Sequence, residues 1–218
     1  VESIVDRLLT LEALGSQPPD RREFQDYYAQ NLQTYMEEET TRFIRYLIDE
    51  NRPMRDLIDS DVTFVNEPLA KFYGYNEVSG LDFQKTRITD SFRRGILGHA
   101  SVLTASANGI DTSPVTRGVW LLENILATPP APPPPDVPPL DPDTRGATTR
   151  NEQLELHRNH ATCRECHEKI DPFGFALESF DPIGRLRTHY PNRSPIEMSG
   201  IFPDGTTFSD VRDLRTYL

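Results

Sequence analysis

The chain is poor in cysteine, methionine and tryptophan, with two, three and one of each in 218 residues. A pair of cysteines three positions apart excludes a scaffold held by disulfides, which needs several bridges between distant segments. No stretch approaches the ~18 consecutive apolar residues that span a bilayer, so no membrane-crossing helix is expected. Basic residues are in deficit, 23 Lys and Arg against 34 Asp and Glu. The net charge of −11 repels nucleic acid and anionic lipid and suits a basic partner or small neutral solutes. The first fifteen residues also lack the basic flank, apolar run and cleavage site of an export signal. They read instead as an amphipathic helix, with Ile4, Leu8, Leu9 and Leu11 on one side.

What is present points to a folded, mainly helical chain. Hydrophobic residues make up 36% of it, and eleven Phe and eight Tyr supply bulky core material. Residues 21–50 contain no Gly or Pro and place Phe24, Tyr27, Tyr28, Leu32, Tyr35, Phe43 and Leu47 at helical spacing. This predicts one long helix, or two with a bend near Thr40. A short helix is expected at 54–60, and another capped by Asn66 and stopped by Gly74. Residues 75–90 read as irregular. A stronger helix starts near Pro114, with Trp120, Leu121, Leu122 and Ile125 as its buried face.

After Thr128 the run PPAPPPPDVPPLDP fixes the backbone in extended polyproline II form and reads as a stiff connector or, less simply, a docking ligand. The expected organisation is a helical domain over 1–128, a polyproline linker over 129–145 and a cofactor module over 146–218. That module has a helix through NEQLELHRNH, a Gly-containing turn after the cysteine motif, with Pro172 and Gly174 shaping it, and a hairpin in MSGIFPDGTTFSD turning at Pro203, Asp204 and Gly205.

The two cysteines stand in CRECH, residues 163–167. C-x-x-C-H is the spacing for covalent attachment of haem c: the thiols of Cys163 and Cys166 add to the porphyrin vinyl groups and His167 reaches the iron from the same segment. Three other chemistries compete. A disulfide would close a strained small loop and leave His167 without a role. A thioredoxin-like pair expects a βαβ setting, but a polar helix precedes this motif. Zinc needs four ligands, and only His157, His160 and His189 remain nearby, with no third cysteine. One covalent haem c is the expected cofactor. For its second axial position Met198, His157, His160, His189 and His99 are the available side chains, and spacing does not choose among them. An open position is the remaining option. Phe173, Phe175, Leu177 and Phe180 are expected to wall the porphyrin, and Arg185 and Arg187 to pair with its propionates.

The succession SFRRGILGHASVLTASANGIDTSPVTRGVWLLENIL, the polyproline run and NEQLELHRNHATCRECHEKIDPFGFALESFDPIGRLR resembles the C-terminal half of the large planctomycete-type cytochrome proteins. Residues 41–74 resemble the preceding domain of the same proteins. The resemblance implies a helical cytochrome c-like haem module with long ordered loops and a small C-terminal hairpin, within a large exported protein. It carries the haem-binding role to Cys163, Cys166 and His167. It places His157 at a fixed distance before them, which ranks His157 first as distal ligand and Met198 second. Position 99 accepts other residues in such proteins. Asp171, Pro172, Gly174, Phe175 and Phe180 also match the pattern. Haem attachment outside the cytoplasm implies a periplasmic or otherwise exported location.

Two functions of different class follow. Electron transfer to a redox partner, possibly basic, requires two protein ligands on the iron. A peroxidase- or oxidase-type haem enzyme requires an open distal position and a base, for which His99 or His157 is available. A structural subunit of a redox complex is the third reading.

Overall fold

A computed structural model of the protein describes residues 9–11, 14, 17–132 and 161–218. Most of the amphipathic N-terminal helix, the helix through 151–160, most of the polyproline run, His157 and His160 fall outside these residues. The chain divides into two compact units: Val1–Ser113 with Phe180–Leu186 and Val211–Leu218, and Pro114–Ser179 with Arg187–Asp210. The described residues are mainly helical, with two small antiparallel sheets, and no described helix is long and apolar enough to cross a membrane.

In the first unit the expected long helix is two. Helix α1 spans Gln25–Ala29 and α2 spans Leu32–Asp49. The break lies at Asn31, whose φ of 52° is left-handed, a conformation that Asn tolerates better than most residues. Thr40, where a bend was expected, sits buried within α2. Its hydroxyl contacts the His99 ring at 2.9 Å and Ser101 Oγ at 2.6 Å, so the helix has no polar group there to accommodate by bending. Helix α3, Arg55–Asp59, follows.

Strand β1, Val62–Val65, then leads into α4, Glu67–Tyr73. The α4 start is set as the sequence predicts: Asn66 Oδ1 accepts the Leu69 N–H at 3.2 Å. Its end is set by Gly74 at φ 85°. The stretch 75–90 is not wholly irregular, because Gln84–Arg87 forms β2 and pairs antiparallel with β1, Val62 opposite Arg87 and Val65 opposite Gln84. Its sequence QKTR has no apolar alternation. Only the partner strand identifies it. A single 3₁₀ turn at Ile96–Gly98 precedes α5, Ala100–Ala105.

The core gathers Tyr27, Leu32, Met36, Val65, Leu69 and Ile183. The Phe180–Leu186 loop brings Gly184 against α5, where a Cβ would lie 2.9 Å from Ala100 Cα. The C-terminal helix, Val211–Tyr217, is held by Arg215, which donates to the carbonyls of Ser91 and Phe92 and lies 3.3 Å from Asp59.

The second unit is built on two helices, α6 at Pro114–Asn124 and α7 at Ala161–Phe175. Helix α6 starts at the expected proline and buries Trp120, Leu121 and Leu122, with Ile125 half-buried beyond its end. The two helices approach with backbone nearly in contact. A Cβ on Gly118 would lie 2.2 Å from the Ile170 carbonyl oxygen, and one on Gly174 would lie 1.7 Å from that of Pro114. Pro172 and Gly174 therefore do not form a turn after the motif helix, as expected. The helix runs through both to Phe175. Pro172 forgoes one helical hydrogen bond, and Gly174 serves the close crossing. The hairpin is as expected: β3, Gly200–Ile201, pairs antiparallel with β4, Thr207–Phe208, and Gly205 takes φ 90° in the turn. Phe202 stacks on Phe208 at 4.4 Å and on Phe173 of α7 at 5.3 Å, which fixes the hairpin to the helix.

Candidate functional site

Helix α7 carries all three motif residues. With 3.6 residues per turn, Cys163, His167 and Asp171 form one stripe at four-residue steps, and Cys166 lies about 60° round the axis from Cys163. Burial deepens along the stripe. Cys163 is half-buried, the His167 side chain is 14% exposed and that of Asp171 is 0% exposed. Cys166 is exposed, and both thiols are free. The surrounding turns follow the same logic: Arg164, Glu165, Glu168 and Lys169 face water, while Ile170, Phe173 and Gly174 face the interior.

His167 Nδ1 lies 2.9 Å from Asp171 Oδ1 and 3.1 Å from Oδ2. An imidazole that donates Nδ1–H to a carboxylate keeps its lone pair on Nε2, the nitrogen then able to coordinate a metal. A carboxylate in the interior costs several kcal/mol unless it is hydrogen-bonded. The contact to His167 thus orients the ring and helps to satisfy the acid.

The donor set fits covalent haem. Two free thiols one turn apart on a helix can reach the two vinyl groups along one ring edge, and the next residue presents an imidazole with its tautomer set from below. Among the described residues no group of three or more His, Cys, Asp and Glu converges as a metal-ion site; His157 and His160, named as zinc candidates, lie outside these residues. A haem iron needs only axial ligands from the protein.

The other residues singled out by the sequence are dispersed. Phe173 and Phe175 lie on α7 and are buried, Phe173 within the stack with Phe202 and Phe208. Arg185 belongs to the first unit, where it pairs with Asp26 at 3.1 Å and covers the Phe72 ring. Arg187 pairs with Glu178 at 3.0 Å. Met198 is half-buried beside β3, and His189 is exposed with Nδ1 3.0 Å from Thr188 Oγ1. His99 is enclosed in the first unit, against Thr40 and the Phe43 ring at 4.8 Å. Burial there, reinforced by the Arg93 charge, depresses its pKa to about 3.

Two buried polar clusters were not foreseen. In the first unit Glu39 accepts from Thr63 Oγ1 and from the Tyr73 hydroxyl, each at 2.5 Å. The Tyr73 oxygen accepts the Ala100 N–H at 3.0 Å. Arg93 lies over the Tyr73 ring at 4.1 Å and donates to the carbonyls of Gly98 and Gly184. Burial raises the Glu39 pKa to about 7 against the lowering pull of Thr63, Tyr73 and Arg93. In the second unit Glu178 faces Arg117 at 3.7 Å, with Arg187 and the Tyr190 hydroxyl on its other oxygen. Arg117 also donates to the Leu177 carbonyl at 2.8 Å. Charged residues in mixed sequence look like solvated ones, so only the fold reveals these clusters. The Asp171 contact, by contrast, was detectable as a four-residue helical spacing from His167.

Comparison with known families matches two separate stretches of the chain. Residues 93–190 match the family model PSCyt3, described as a protein of unknown function (DUF1588), and residues 1–75 match PSD4, described as a protein of unknown function (DUF1592). Both are domains of planctomycete-type multihaem cytochrome proteins. The first match includes the CRECH segment and ends at Tyr190; the second reaches the chain start, well before residue 41. No curated protein and no solved structure matches the chain.

Proposed function

We propose that the chain is a monohaem c-type cytochrome unit that transfers electrons within a larger periplasmic or otherwise exported protein. The observation that carries this reading is the α7 stripe: two free thiols and an imidazole whose Nδ1 is held by a buried carboxylate. Cys163 and Cys166 hold the haem by thioether bonds. Each thiol would add across a vinyl group, sulfur bonding to one carbon and the thiol proton passing to the other, which would consume no external oxidant. His167 is the proximal ligand through Nε2. Bound there, haem supplies a one-electron iron couple. The protein's part is to fix one ligand and to exclude water from the ring.

His157 is the proposed distal ligand, at ten positions before His167, with Met198 the runner-up. The helical build of the unit around a CRECH helix is compatible with a cytochrome c-like module, and the acidic balance of the chain favours a basic redox partner.

A pyridine haemochrome assay on the purified protein, followed by optical and electron paramagnetic resonance spectra of both oxidation states, tests this. One covalent haem with a low-spin spectrum indifferent to cyanide and carbon monoxide is the expected result. A protein without haem overturns the proposal. A high-spin, ligand-binding haem replaces electron transfer with peroxide or oxygen chemistry.

A further inference from the structure

Resting on the haem reading above, we infer that Asp171 is a positioning residue for the iron: its carboxylate accepts the hydrogen bond of the His167 Nδ1–H, fixes the ring and holds the reduction potential down. Four observations carry this. Both carboxylate oxygens lie within hydrogen-bond reach of Nδ1, at 2.9 and 3.1 Å, so the N–H points into the carboxylate fork. The acid's side chain is 0% exposed, and charge-assisted hydrogen bonds are stronger in such an interior than in water. Both groups stand on one rigid helix, four residues apart. That helix is clamped to α6 by the close approaches at Gly118 and Gly174, the second only three residues beyond Asp171.

Such an arrangement does more than orient a ligand. A carboxylate drawing on Nδ1–H makes the ring a stronger donor through Nε2 and sets a negative charge one imidazole away from the metal. Ferric iron carries one more positive charge than ferrous, so both effects favour the oxidised state. A neutral acceptor at the same place would orient the ring without this bias. If Asp171 were only a helix-surface partner of His167, its charge would have no bearing on the iron.

The test uses the full chain with haem attached, as wild type, Asp171→Asn and Asp171→Glu. Haemochrome assay gives haem content and optical redox titration gives the midpoint. Asn keeps an oxygen acceptor near Nδ1 but removes the charge. Its midpoint should rise, with the reduced form favoured on the order of tenfold, which is 59 mV for one electron. Glu keeps the charge and should lie closer to wild type than Asn does. An Asn variant that retains haem at an unchanged midpoint overturns the inference while leaving the haem reading intact. Should the Asn variant fail to fold, the His167 ring Nδ1 proton in the reduced wild type decides by nuclear magnetic resonance. A downfield, slowly exchanging proton supports the assignment; one that exchanges as a solvent-exposed imidazole does overturns it. A wild type without haem defeats the haem reading itself.

Discussion

Adding one methyl group at Gly174 should damage the second unit more than any comparable change on α7. The new Cβ would lie 1.7 Å from the Pro114 carbonyl oxygen and 2.4 Å from its carbon, against an unstrained separation of ~3.5 Å. Neither atom can swing aside, because both belong to helix backbone, so α6 and α7 must part by more than an ångström. Overpacking of a well-packed core costs ~1–3 kcal/mol and more where backbone must move. The better helix propensity of alanine offsets ~1 kcal/mol. Taking the upper end of that range, because backbone must move, a net loss of ~2 kcal/mol follows, or ~4–8 °C in melting temperature for a chain of this size. Gly118→Ala, with its nearest atom at 2.2 Å, should fall between Gly174→Ala and wild type. Thermal unfolding followed by circular dichroism measures the order. A Gly174→Ala protein that melts at or above wild type would refute the claim that the two glycines exist for this crossing.

The buried groups of the first unit give opposite pH dependences. Glu39 has a folded pKa raised to about 7 from 4.5, so its contribution is fully present below 4.5 and is lost as pH rises through 7. That loss is ~3 kcal/mol as an order of magnitude, and Glu39→Gln should flatten stability across this window in denaturant titrations at fixed pH. His99 has a folded pKa depressed to about 3 from 6.5. Its contribution is present above 6.5 and lost as pH falls toward 3, so His99→Gln should lessen the acid sensitivity seen in the same titrations. Arg93→Ala removes two bonds to carbonyls and the cover of the Tyr73 ring. It should destabilise by about 3 kcal/mol, and a chemical-denaturation midpoint within error of wild type would contradict that role.

Elements with a local signal could be read from the chain before folding. The cap at Asn66, the left-handed stop at Gly74, the proline start of α6 and the Pro203–Gly205 turn each depend on one or two residues and their neighbours. The CRECH motif is local in the same way, five consecutive positions that the fold keeps on one helix. Elements defined by a distant partner could not be read. Strand β2 is QKTR, four polar residues whose strand identity comes from β1. The break at Asn31 depends on a backbone conformation that asparagine permits without announcing. Glu39 and Glu178 are composed like the surface glutamates around them, and only the arrival of Tyr73, Arg93 and Arg117 from far along the chain makes them interior.

Gly174 shows how a residue can be singled out correctly and assigned to the wrong task. Next to Pro172 it reads as a turn, because the pair is what turns are made of. In the fold the proline is accommodated inside α7, and the glycine's missing side chain lets a helix that begins at Pro114 press against it. The consequence reaches the chemistry. The crossing lies one turn past Asp171, so the same contact that needs glycine also keeps the acid's end of α7 from shifting. On the proposed haem reading, loss of that contact should appear in the potential before it appears as loss of haem: thioether bonds would tolerate a displaced helix, whereas the 2.9 Å hydrogen bond between imidazole and carboxylate would not. A Gly118→Ala protein with full haem content and a raised midpoint would express that distinction, and one with reduced haem at an unchanged midpoint would argue that the crossing serves attachment alone.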